Sequence, residues 1–541
     1  MLALLLLAFV PLASSLSFTP GDISQTSLNA TLGLPDKQLA LFEFLEGLVE
    51  EATETNSWPA LYQTNNTGNF PTQRGMPSYR YSLAFTAYAI AAKTITHTPA
   101  HTGPTFALLS SIFKLMTRPE VHSYWSQKGD CAPFFLTAYC EQHNVSMCDL
   151  NTAWHGASAS HCPDPVFFGN IMYSAHLAHV GALVKLFAPS PAAATLVLGE
   201  FSLGGTTYSY ETLLDRLRYQ AIDQKDTLGG GITCEPGNIY PSCQSHLHAA
   251  LHLVDALDGH SDDAAIIDTW RTYLLTSNMA HIDNGPLGER LFEIAQQTPR
   301  HSHIPDFGIP IGCASHDVWV LAYMSPWASD VDSVLALGRE LLKQHPGWVE
   351  GSLQDKRCKA LAGEENWDVG SAMYTVLEAQ VARGGDGDME RSGEAIGRFE
   401  KASVAAVEGD QYHYVSEYGL DVLVTTQLAM SMVIDETTLV SLHGLAGKEI
   451  IQGGGAYIKS ISGDVWVRRA HRDGTFTLLG KGDRGDRGEV KITIEGVGVV
   501  EKVLANGEEV EGWEAGEGGV RIVFELEEGE DVSVVVVQST T

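Results

Sequence analysis

The chain has 541 residues, and 34 basic against 66 acidic side chains give it a formal net charge of −32. This charge argues against a nucleic-acid partner and against docking on anionic lipid, because both require clustered Lys and Arg. A hydrophobic content of 44% indicates a globular chain with a large buried core, and the length predicts two domains.

Residues 1–17, MLALLLLAFVPLASSLS, form an apolar run followed by small residues. This pattern predicts a signal peptide, although the usual basic start is missing. No later run is apolar enough over about 18 residues to predict a membrane span. Sequons at Asn29, Asn65 and Asn144 predict glycosylation and agree with this route. We therefore expect a protein that is secreted or resides in the lumen of the secretory pathway.

Between residues 18 and 435, apolar side chains recur at helical spacing. The predicted helices cover 37–53, 79–90, 106–116, 167–187, 209–223, 243–257, 263–279, 287–297, 314–324, 331–344, 369–383, 387–404 and 416–434. About a dozen helices with no strand-rich block between them favour an (α/α)6 barrel, in which helical hairpins close into a ring. The predicted fold class is therefore mainly α over residues 18–435.

The pattern changes after residue 435, where the helical period gives way to alternating apolar and polar residues between glycine-rich turns. The alternating runs are 456–461, 464–467, 489–494, 520–524 and 532–537. They predict a small antiparallel β-sandwich domain over residues 450–541. The polar sequence 481–488 contains an Arg-Gly-Asp tripeptide, which we interpret as the tip of a hairpin, because tight turns favour Gly and Asp.

The stretch 230–244, GGITCEPGNIYPSCQ, brings chemically active side chains together. It contains Cys234, Glu235, Tyr240 and Cys243 among three glycines and two prolines, so it cannot be the interior of a helix. We expect a loop that delivers these side chains to the start of the next helix. The two cysteines form either a disulfide that staples the loop or a pair of thiols for acid–base chemistry.

Histidines are the other candidate chemical groups. His176 lies in the predicted helix 167–187 and is a titratable partner for the thiols, although a histidine on an apolar helix face is more often a core residue. His248 and His252 are four residues apart, a spacing that can hold a metal ion. No third ligand follows at a suitable spacing, so we predict no metal. His316 and Asp317 are either an active-site pair or the start of a helix.

Motifs of the common cofactor and hydrolase classes are absent from the sequence. It contains no P-loop, no GxGxxG after a predicted strand, no GxSxG and no CxxC. Nucleotide cofactors, serine hydrolase chemistry and thioredoxin-like redox chemistry are therefore disfavoured.

Three ordered blocks resemble the linalool dehydratase/isomerase family. The sequence CEPGN at 234–238, followed by Cys243, resembles that family's CEPxN…C loop. The sequence NIMYSAHL at 170–177 resembles its NIMYxxHL segment, and YSLAFTAY at 81–88 resembles its YSxAFxAY helix. The resemblance spans roughly residues 37–434 and leaves the β-rich tail outside.

This resemblance implies an (α,α)6 barrel that uses no metal or organic cofactor. It implies a small hydrophobic substrate, a tertiary allylic terpene alcohol that is dehydrated and interconverted with its primary isomer. The expected catalytic residues are Cys234, Cys243 and His176. The expected substrate-binding residues are Met172, Tyr240, Glu235, Tyr81, Ser315, His316 and Asp317. A homo-oligomer is left open.

The chain also departs from the family pattern. The catalytic aspartate and tyrosine that the family carries before its YSxAFxAY helix have no clear counterpart here. The nearest candidates are Glu50, Glu51, Trp58 and Tyr62. The substrate and the reaction can therefore differ from those of the family, and a larger terpenoid, isomerisation or cyclisation fits equally.

Two other classes of function remain open. A carbohydrate-active enzyme, either a glycoside hydrolase or a polysaccharide lyase on a helical toroid, would need two carboxylates spaced for glycoside chemistry. Glu235 with Asp317 or Asp368 is the candidate pair. A non-catalytic secreted binding protein is the second alternative, and in it Cys234 and Cys243 form an ordinary disulfide.

Overall fold

The computed structural model describes most of the helical region and most of the C-terminal β region. The described residues are 34–58, 79–122, 164–166, 170–223, 229–232, 238–276, 295–297, 303–305, 314–344, 376–381, 404–408, 411–416, 419–420, 422–434, 437–462, 465–472, 476–482, 488–516, 519–526 and 531–538.

Helices dominate the chain up to residue 452. They are α1 Asp36–Glu54, α2 Tyr79–His97, α3 Thr102–Met116, α4 Ile171–Phe187, α5 Pro191–Leu198, α6 Tyr210–Asp223, α7 Pro241–Asp258, α8 Ala264–Thr276, α9 Ala314–Met324, α10 Val331–Gln344, α11 Val422–Val433, α12 Thr438–Leu442 and α13 Leu445–Gln452. A helical segment also covers 376–381. The prediction of a mainly helical region followed by an antiparallel β region is confirmed. No helix within the described ranges is both long enough and apolar enough to cross a membrane.

Short strands interrupt the helical region, and here the prediction of no strand-rich block before residue 435 is wrong. The strands are β1 Phe201–Leu203, β2 Thr206–Tyr208, β3 Asn238–Ile239, β4 Ala295–Gln297, β5 His303–Pro305, β6 Val404–Glu408, β7 Gln411–Ser416 and β8 Gly419–Leu420. They form an antiparallel pair, β1–β2, and two three-stranded sheets, β3–β4–β5 and β6–β7–β8.

Three predicted helices need correction at these strands. The predicted helix 287–297 ends in strand β4, and the predicted helix 387–404 ends where β6 begins. The predicted helix 416–434 starts too early, because β8 precedes α11. Runs as short as these strands carry too few alternating residues to be told from helix ends by periodicity.

Two central helices are buried on every side. All residues of α2 from Tyr79 to Ile95 are buried, and so are all but Lys185 in α4. A helix without an exposed face belongs to the interior of the fold. Both helices, together with α7 and α9, contribute to one large hydrophobic core. Polar side chains on these helices therefore lie inside the protein, away from bulk water.

Close packing of α4 against α6 depends on one glycine. A Cβ atom at Gly181 would lie 2.2 Å from the ring of Tyr210. The Tyr210 hydroxyl donates a hydrogen bond to the carbonyl of Ala178, with 2.7 Å between the oxygens. The ring therefore lies flat on α4 at the one residue that has no side chain.

The C-terminal strands form two antiparallel sheets. They are β9 Tyr457–Ser462, β10 Val465–Arg472, β11 Phe476–Gly482, β12 Gly488–Glu495, β13 Val500–Ala505, β14 Glu508–Glu509, β15 Glu514–Gly516, β16 Gly519–Leu526 and β17 Asp531–Gln538. One sheet has the order β10-β11-β17-β13-β14 and the other has the order β15-β16-β12-β9. Alternating side chains from both sheets fill one shared core, which includes Ile458, Phe476 and Val534.

The strands that flank the Arg-Gly-Asp tripeptide do not form the predicted hairpin. The strands on either side of it, β11 and β12, belong to different sheets and do not pair with each other. The connection therefore crosses from one sheet to the other, and the hairpin interpretation is wrong. The tripeptide itself lies outside the described residues.

The β region is joined to the helical region by backbone hydrogen bonds. The N–H of Ala100 donates to the carbonyl of Ala470 at 3.0 Å, and the N–H of Ile458 donates to the carbonyl of Ala100 at 2.7 Å. The start of α3 lies so close to β9 that a Cβ atom at Gly103 would be 2.2 Å from the Lys459 carbonyl oxygen. Only glycine allows this approach.

Candidate active site

Four buried helices direct polar and aromatic side chains at one region of the core. On α2 these are Tyr81, Phe85 and Tyr88, which share a helix face because they are four and three residues apart. The other helices contribute His176 and His179 on α4, His246 on α7, and Trp319 and Tyr323 on α9. Cys243 precedes His246 by three residues on α7.

Phe85 lies at the centre of this cluster. Its ring centroid is 5.5 to 5.6 Å from five other rings, which come from all four helices. These are Tyr88, His176, His246, Trp319 and Tyr323. Most of the contacts are edge-to-face or tilted, which is the arrangement that aromatic rings prefer.

One hydrogen bond in the cluster joins Tyr88 to His176. The Tyr88 hydroxyl oxygen is 2.8 Å from Nδ1 of His176. Nε2 of His176 is buried and has no hydrogen-bond partner within the described ranges. If Tyr88 donates to Nδ1, the neutral imidazole carries its proton on Nε2. The opposite arrangement would leave the phenol proton without an acceptor, which is costly in a buried site. His176 therefore presents an unused N–H donor.

Burial sets the protonation states of this pair. It lowers the pKa of His176 to about 3, and the neighbouring Arg80 cation contributes to the shift. Burial also raises the pKa of Tyr88 well above its usual value, with a smaller contribution from Tyr323. At neutral pH the pair is an uncharged imidazole and an uncharged phenol. His176 can therefore donate a hydrogen bond without carrying a positive charge.

A buried cation lies next to the pair. The Arg80 guanidinium is 4.3 Å from the centroid of the Tyr81 ring, and one of its nitrogens is 3.7 Å from the Met172 sulfur. Tyr81 in turn meets the His176 ring edge-on at 5.3 Å. Two residues predicted to bind substrate, Tyr81 and Met172, thus lie together beside His176, and Arg80 joins them.

The 230–244 stretch is only partly described. Cys243 is buried in the first turn of α7, which begins at Pro241, and half-buried Tyr240 directly precedes the helix. Proline suits this first helical position because its missing N–H would have no partner there. Cys234 and Glu235 lie outside the described residues. The prediction of a loop that leads into a helix agrees with the start of α7.

The remaining predicted residues are placed as follows. Asp317 is buried in the first turn of α9. Ser315 and His316 belong to the same helix, but their side chains lie outside the described part of the structure, as do the sequons at Asn29, Asn65 and Asn144.

Three of the four candidates for the family's catalytic aspartate and tyrosine are described, and none of the three contacts the cluster in the described structure. Glu50 and Glu51 are exposed on α1. Trp58 stacks on Tyr79, with ring centroids 4.1 Å apart and planes at 7°. Tyr62 lies outside the described residues. Glu50 and Glu51 are therefore not buried acids of this site.

The histidines of α7 separate into two environments. His246 joins the aromatic cluster, whereas His248 is buried on another face against Trp270 and Trp327, at centroid distances of 6.0 and 5.2 Å. Neither ring nitrogen of His248 has a hydrogen-bond partner among the described residues. Among all the residues that the structure describes, no group of three or more His, Cys, Asp or Glu side chains is arranged to hold a metal ion.

Several members of the cluster were not singled out from the sequence. Phe85 and Tyr88 stand in the quoted helix motif, and His179 follows His176 at helical spacing. The signal that would have found them is this repeated three- or four-residue spacing on four separate helices. Nothing in the sequence places Arg80, which is fully buried.

One comparison with known protein families matches the part of the chain that carries this cluster. Residues 80–343 match the family model described as linalool dehydratase/isomerase. No curated protein has a sequence that matches the chain.

Among solved structures, the crystal structure of a GH127 beta-L-arabinofuranosidase from Geobacillus stearothermophilus T6 aligns over 92% of this chain and 80% of that chain. The two are 12% identical, and the TM-score of 0.23 is too low for the alignment to carry an argument. The segment 80–343, which matches the linalool dehydratase/isomerase family model, contains the four helices of the aromatic cluster.

Proposed function

We propose that this protein is a lyase/isomerase of the linalool dehydratase type that acts on an allylic terpene or terpenoid alcohol. The family match over residues 80–343 carries the proposal, because that segment contains the buried Tyr88–His176 pair within a shell of aromatic rings. The reaction is dehydration, isomerisation or cyclisation by acid–base catalysis. The family resemblance supports a mechanism that needs no cofactor.

His176 is suited to bind the leaving oxygen. Its Nε2–H is the unused donor of the pair, and its low pKa keeps the ring neutral at physiological pH. In the proposed complex this N–H donates to the substrate hydroxyl and stabilises charge on the oxygen as the C–O bond lengthens. Tyr88 fixes the tautomer from the other side of the ring.

The two cysteines supply the proton transfers. One thiol gives its proton to the departing hydroxyl, which leaves as water. Departure of the water leaves an allylic carbocation. The second cysteine, which is a thiolate, takes a proton from the carbon next to the cationic centre, and the electron pair of that C–H bond forms the new double bond. A proton passed from the second sulfur to the first then restores the starting state. General acid–base catalysis of this kind contributes about 10²–10⁴-fold.

The aromatic shell fits the charge that forms between these steps. Loss of an allylic hydroxyl leaves a delocalised carbocation, and the faces of aromatic rings attract positive charge. Phe85, Tyr81 and Trp319 lie within the cluster around His176. Burial excludes water, which would otherwise capture the cation.

The domain organisation and the compartment belong to the same proposal. We propose an (α/α)6 barrel over residues 18–435 and a β-sandwich domain over residues 450–541. Residues 1–17 would be removed as a signal peptide, and the mature glycoprotein would be secreted or held in the lumen of the secretory pathway. The leader and the three sequons support this compartment.

The test is incubation of the purified full-length protein with a panel of allylic terpene alcohols, followed by gas chromatography. We expect dehydrated or isomerised products, and we expect their loss in the double variant Cys234→Ala, Cys243→Ala. Full turnover in that variant would refute the roles of the two cysteines.

His176 and His248 form a matched pair for the same assay. Both are fully buried, and burial lowers the pKa of each to about 3, but only His176 bonds to Tyr88. We expect His176→Phe to lose about 10²–10³-fold in turnover, the effect of removing one donor to a charged oxygen. His248→Phe should retain turnover, because it removes a buried imidazole whose nitrogens have no partner in the described structure. Equal losses in the two variants would contradict the assignment of His176.

No observation favours the carbohydrate-active alternative. Glu235 and Asp368 lie outside the described residues, and the alignment to a glycosidase is too weak to support it. If the enzyme converts no alcohol in the panel, larger terpenoids are the next substrates to test, and glycans follow.

A further inference from the structure

Four buried hydrogen bonds link Trp319, three histidines and a backbone carbonyl in one row next to the Tyr88–His176 pair. The indole nitrogen of Trp319 is 2.9 Å from Nε2 of His246, and Nδ1 of His246 is 3.3 Å from Nδ1 of His179. Nε2 of His179 is 2.5 Å from Nε2 of His443, and Nδ1 of His443 is 2.7 Å from the carbonyl oxygen of Leu439. The three imidazoles are buried, with at most 1% of any side chain exposed.

The first end of this chain fixes the position of every proton. The indole N–H of Trp319 can only donate, so Nε2 of His246 must accept and carries no proton. A neutral His246 then carries its proton on Nδ1 and donates it to Nδ1 of His179. His179 in turn carries its proton on Nε2 and donates it to His443.

The second end requires the same order. The carbonyl of Leu439 can only accept, so His443 carries its proton on Nδ1 and has a bare Nε2. That nitrogen accepts from His179, whose bare Nδ1 accepts from His246. Two groups at opposite ends, one a pure donor and one a pure acceptor, thus impose one arrangement on three neutral rings.

Burial keeps all three rings neutral. It lowers the pKa of His179 and of His246 well below the usual value, and their histidine neighbours lower both further. It lowers the pKa of His443 to about 4, although the hydrogen bond to the Leu439 carbonyl opposes the shift. An imidazolium in the chain would also place two N–H donors face to face.

This chain of rings contacts the pair at the centre of the site. The His246 ring lies 4.1 Å from the His176 ring and stacks on Tyr88 at 5.2 Å, with planes at 13°. The His179 ring lies 4.2 Å from Tyr88. A positive charge on His246 would therefore lie next to His176, where the proposed function places the developing carbocation, and like charges repel.

We propose that His246, His179 and His443 are positioning residues, whose fixed proton order holds an uncharged imidazole against His176 during the reaction. The role rests on the proposed function, whereas the proton order itself does not. His443 lies outside the matched segment 80–343, so the chain supplies it from a different part of the sequence.

The proton order can be measured directly in the full-length protein labelled with ¹⁵N-histidine. Nitrogen chemical shifts distinguish a protonated from a bare ring nitrogen, and single His→Gln variants assign the signals. We expect Nδ1–H in His246, Nε2–H in His179 and Nδ1–H in His443. A proton on Nε2 of His246, or a charged ring at neutral pH, would overturn the order without any reference to substrate or turnover.

A double-mutant cycle tests the positioning role. Trp319→Phe removes the pure donor at one end, and His443→Phe breaks the link to the pure acceptor at the other. Either change alone leaves one end intact, so the His246 Nδ1–H signal should persist. With both changes neither end remains, and His246 should show a mixture of its two tautomers.

In this double-mutant cycle, turnover should fall most in the variant whose His246 loses its single tautomer. We expect the double variant to lose more turnover than the product of the two single losses, because the two ends substitute for each other. Losses that simply multiply, with the tautomer signal unchanged in the double variant, would overturn the positioning role. If the double variant does not fold, the unmodified protein still tests the proton order.

Discussion

The hydroxyl of Tyr88 lies 2.8 Å from Nδ1 of His176, between helices α2 and α4 and with both side chains buried. This bond leaves the other nitrogen of His176 as the unused donor of the site. His176 alone does not define this hydrogen-bond donor, because the position of its ring proton depends on Tyr88.

Removal of the Tyr88 hydroxyl should reduce turnover. Tyr88→Phe leaves Nδ1 of His176 without its donor, and an unmade buried hydrogen bond costs about 1–3 kcal/mol, or about fivefold to 150-fold in rate. Tyr173→Phe is the matched control, since the Tyr173 hydroxyl is also buried but bonds to the carbonyl of Met116. Steady-state kinetics on the best allylic alcohol of the panel would show a loss in the first variant alone. A similar loss in both would mean that packing, and not the tautomer, matters.

Acidification should destabilise the fold. The folded pKa of His443 is lowered to about 4, whereas an unfolded histidine titrates near about 6.5. The unfolded state therefore binds the proton first, and stability falls as the pH drops from about 6.5 toward about 4. Urea unfolding across this range measures the slope, which should be shallower in His443→Gln. An unchanged slope in that variant would show that His443 does not titrate in this way.

Two helical glycines should respond in opposite directions to alanine. At Gly181 a Cβ atom would lie 2.2 Å from the Tyr210 ring, and overpacking of this kind costs about 1–3 kcal/mol. At Gly47, inside α1, a Cβ atom would meet no described atom within 4 Å beyond its neighbours and its own helix backbone. Alanine there should stabilise the helix by about 0.5–1 kcal/mol. Thermal unfolding of the two variants would separate them. Stabilisation by Gly181→Ala would contradict the close approach of α4 and α6.

Removal of one partner of a buried ion pair should destabilise the fold more than removal of both partners. Lys93 and Glu46 are bonded to each other, with at most 8% of either side chain exposed. Lys93→Met leaves the Glu46 carboxylate unpaired, and such a loss costs about 3–5 kcal/mol. The double variant Lys93→Met, Glu46→Leu should recover most of this stability, because no buried charge remains. Chemical unfolding of both measures the difference, and equal destabilisation would argue against an uncompensated charge.

An element was predictable from the sequence when its periodic pattern of apolar residues extends over many residues. The long helices were predictable because their apolar spacing repeats over several turns, as in 331–344. Five of the nine described strands after residue 450 were predictable from their alternation, and β11, β13, β14 and β15 were missed. The short strands β1 to β8 were missed, because two to six residues do not establish a period. The predicted hairpin around the Arg-Gly-Asp tripeptide was wrong, because β11 and β12 belong to different sheets. Strands that are neighbours in sequence need not be neighbours in space.

The site was predicted in part for the same physical reasons. His176, Met172 and Tyr81 were found because they stand in local motifs, and the structure places them together with Arg80. His443 was not predictable, because its contact with His179 comes from the packing of α12 against the helical core. Side chains that meet across a long sequence separation leave no local pattern.

The bond between His179 and His443 also has a consequence for the order in which the protein is made. It joins residues 264 positions apart. Chains are synthesised from the amino terminus, and folding of the earlier part proceeds during synthesis. On a ribosome that has not yet reached residue 443, the Nε2–H of His179 lacks this acceptor, however well the earlier helices have packed. A nascent chain can therefore acquire most of its helical core before it acquires a finished site.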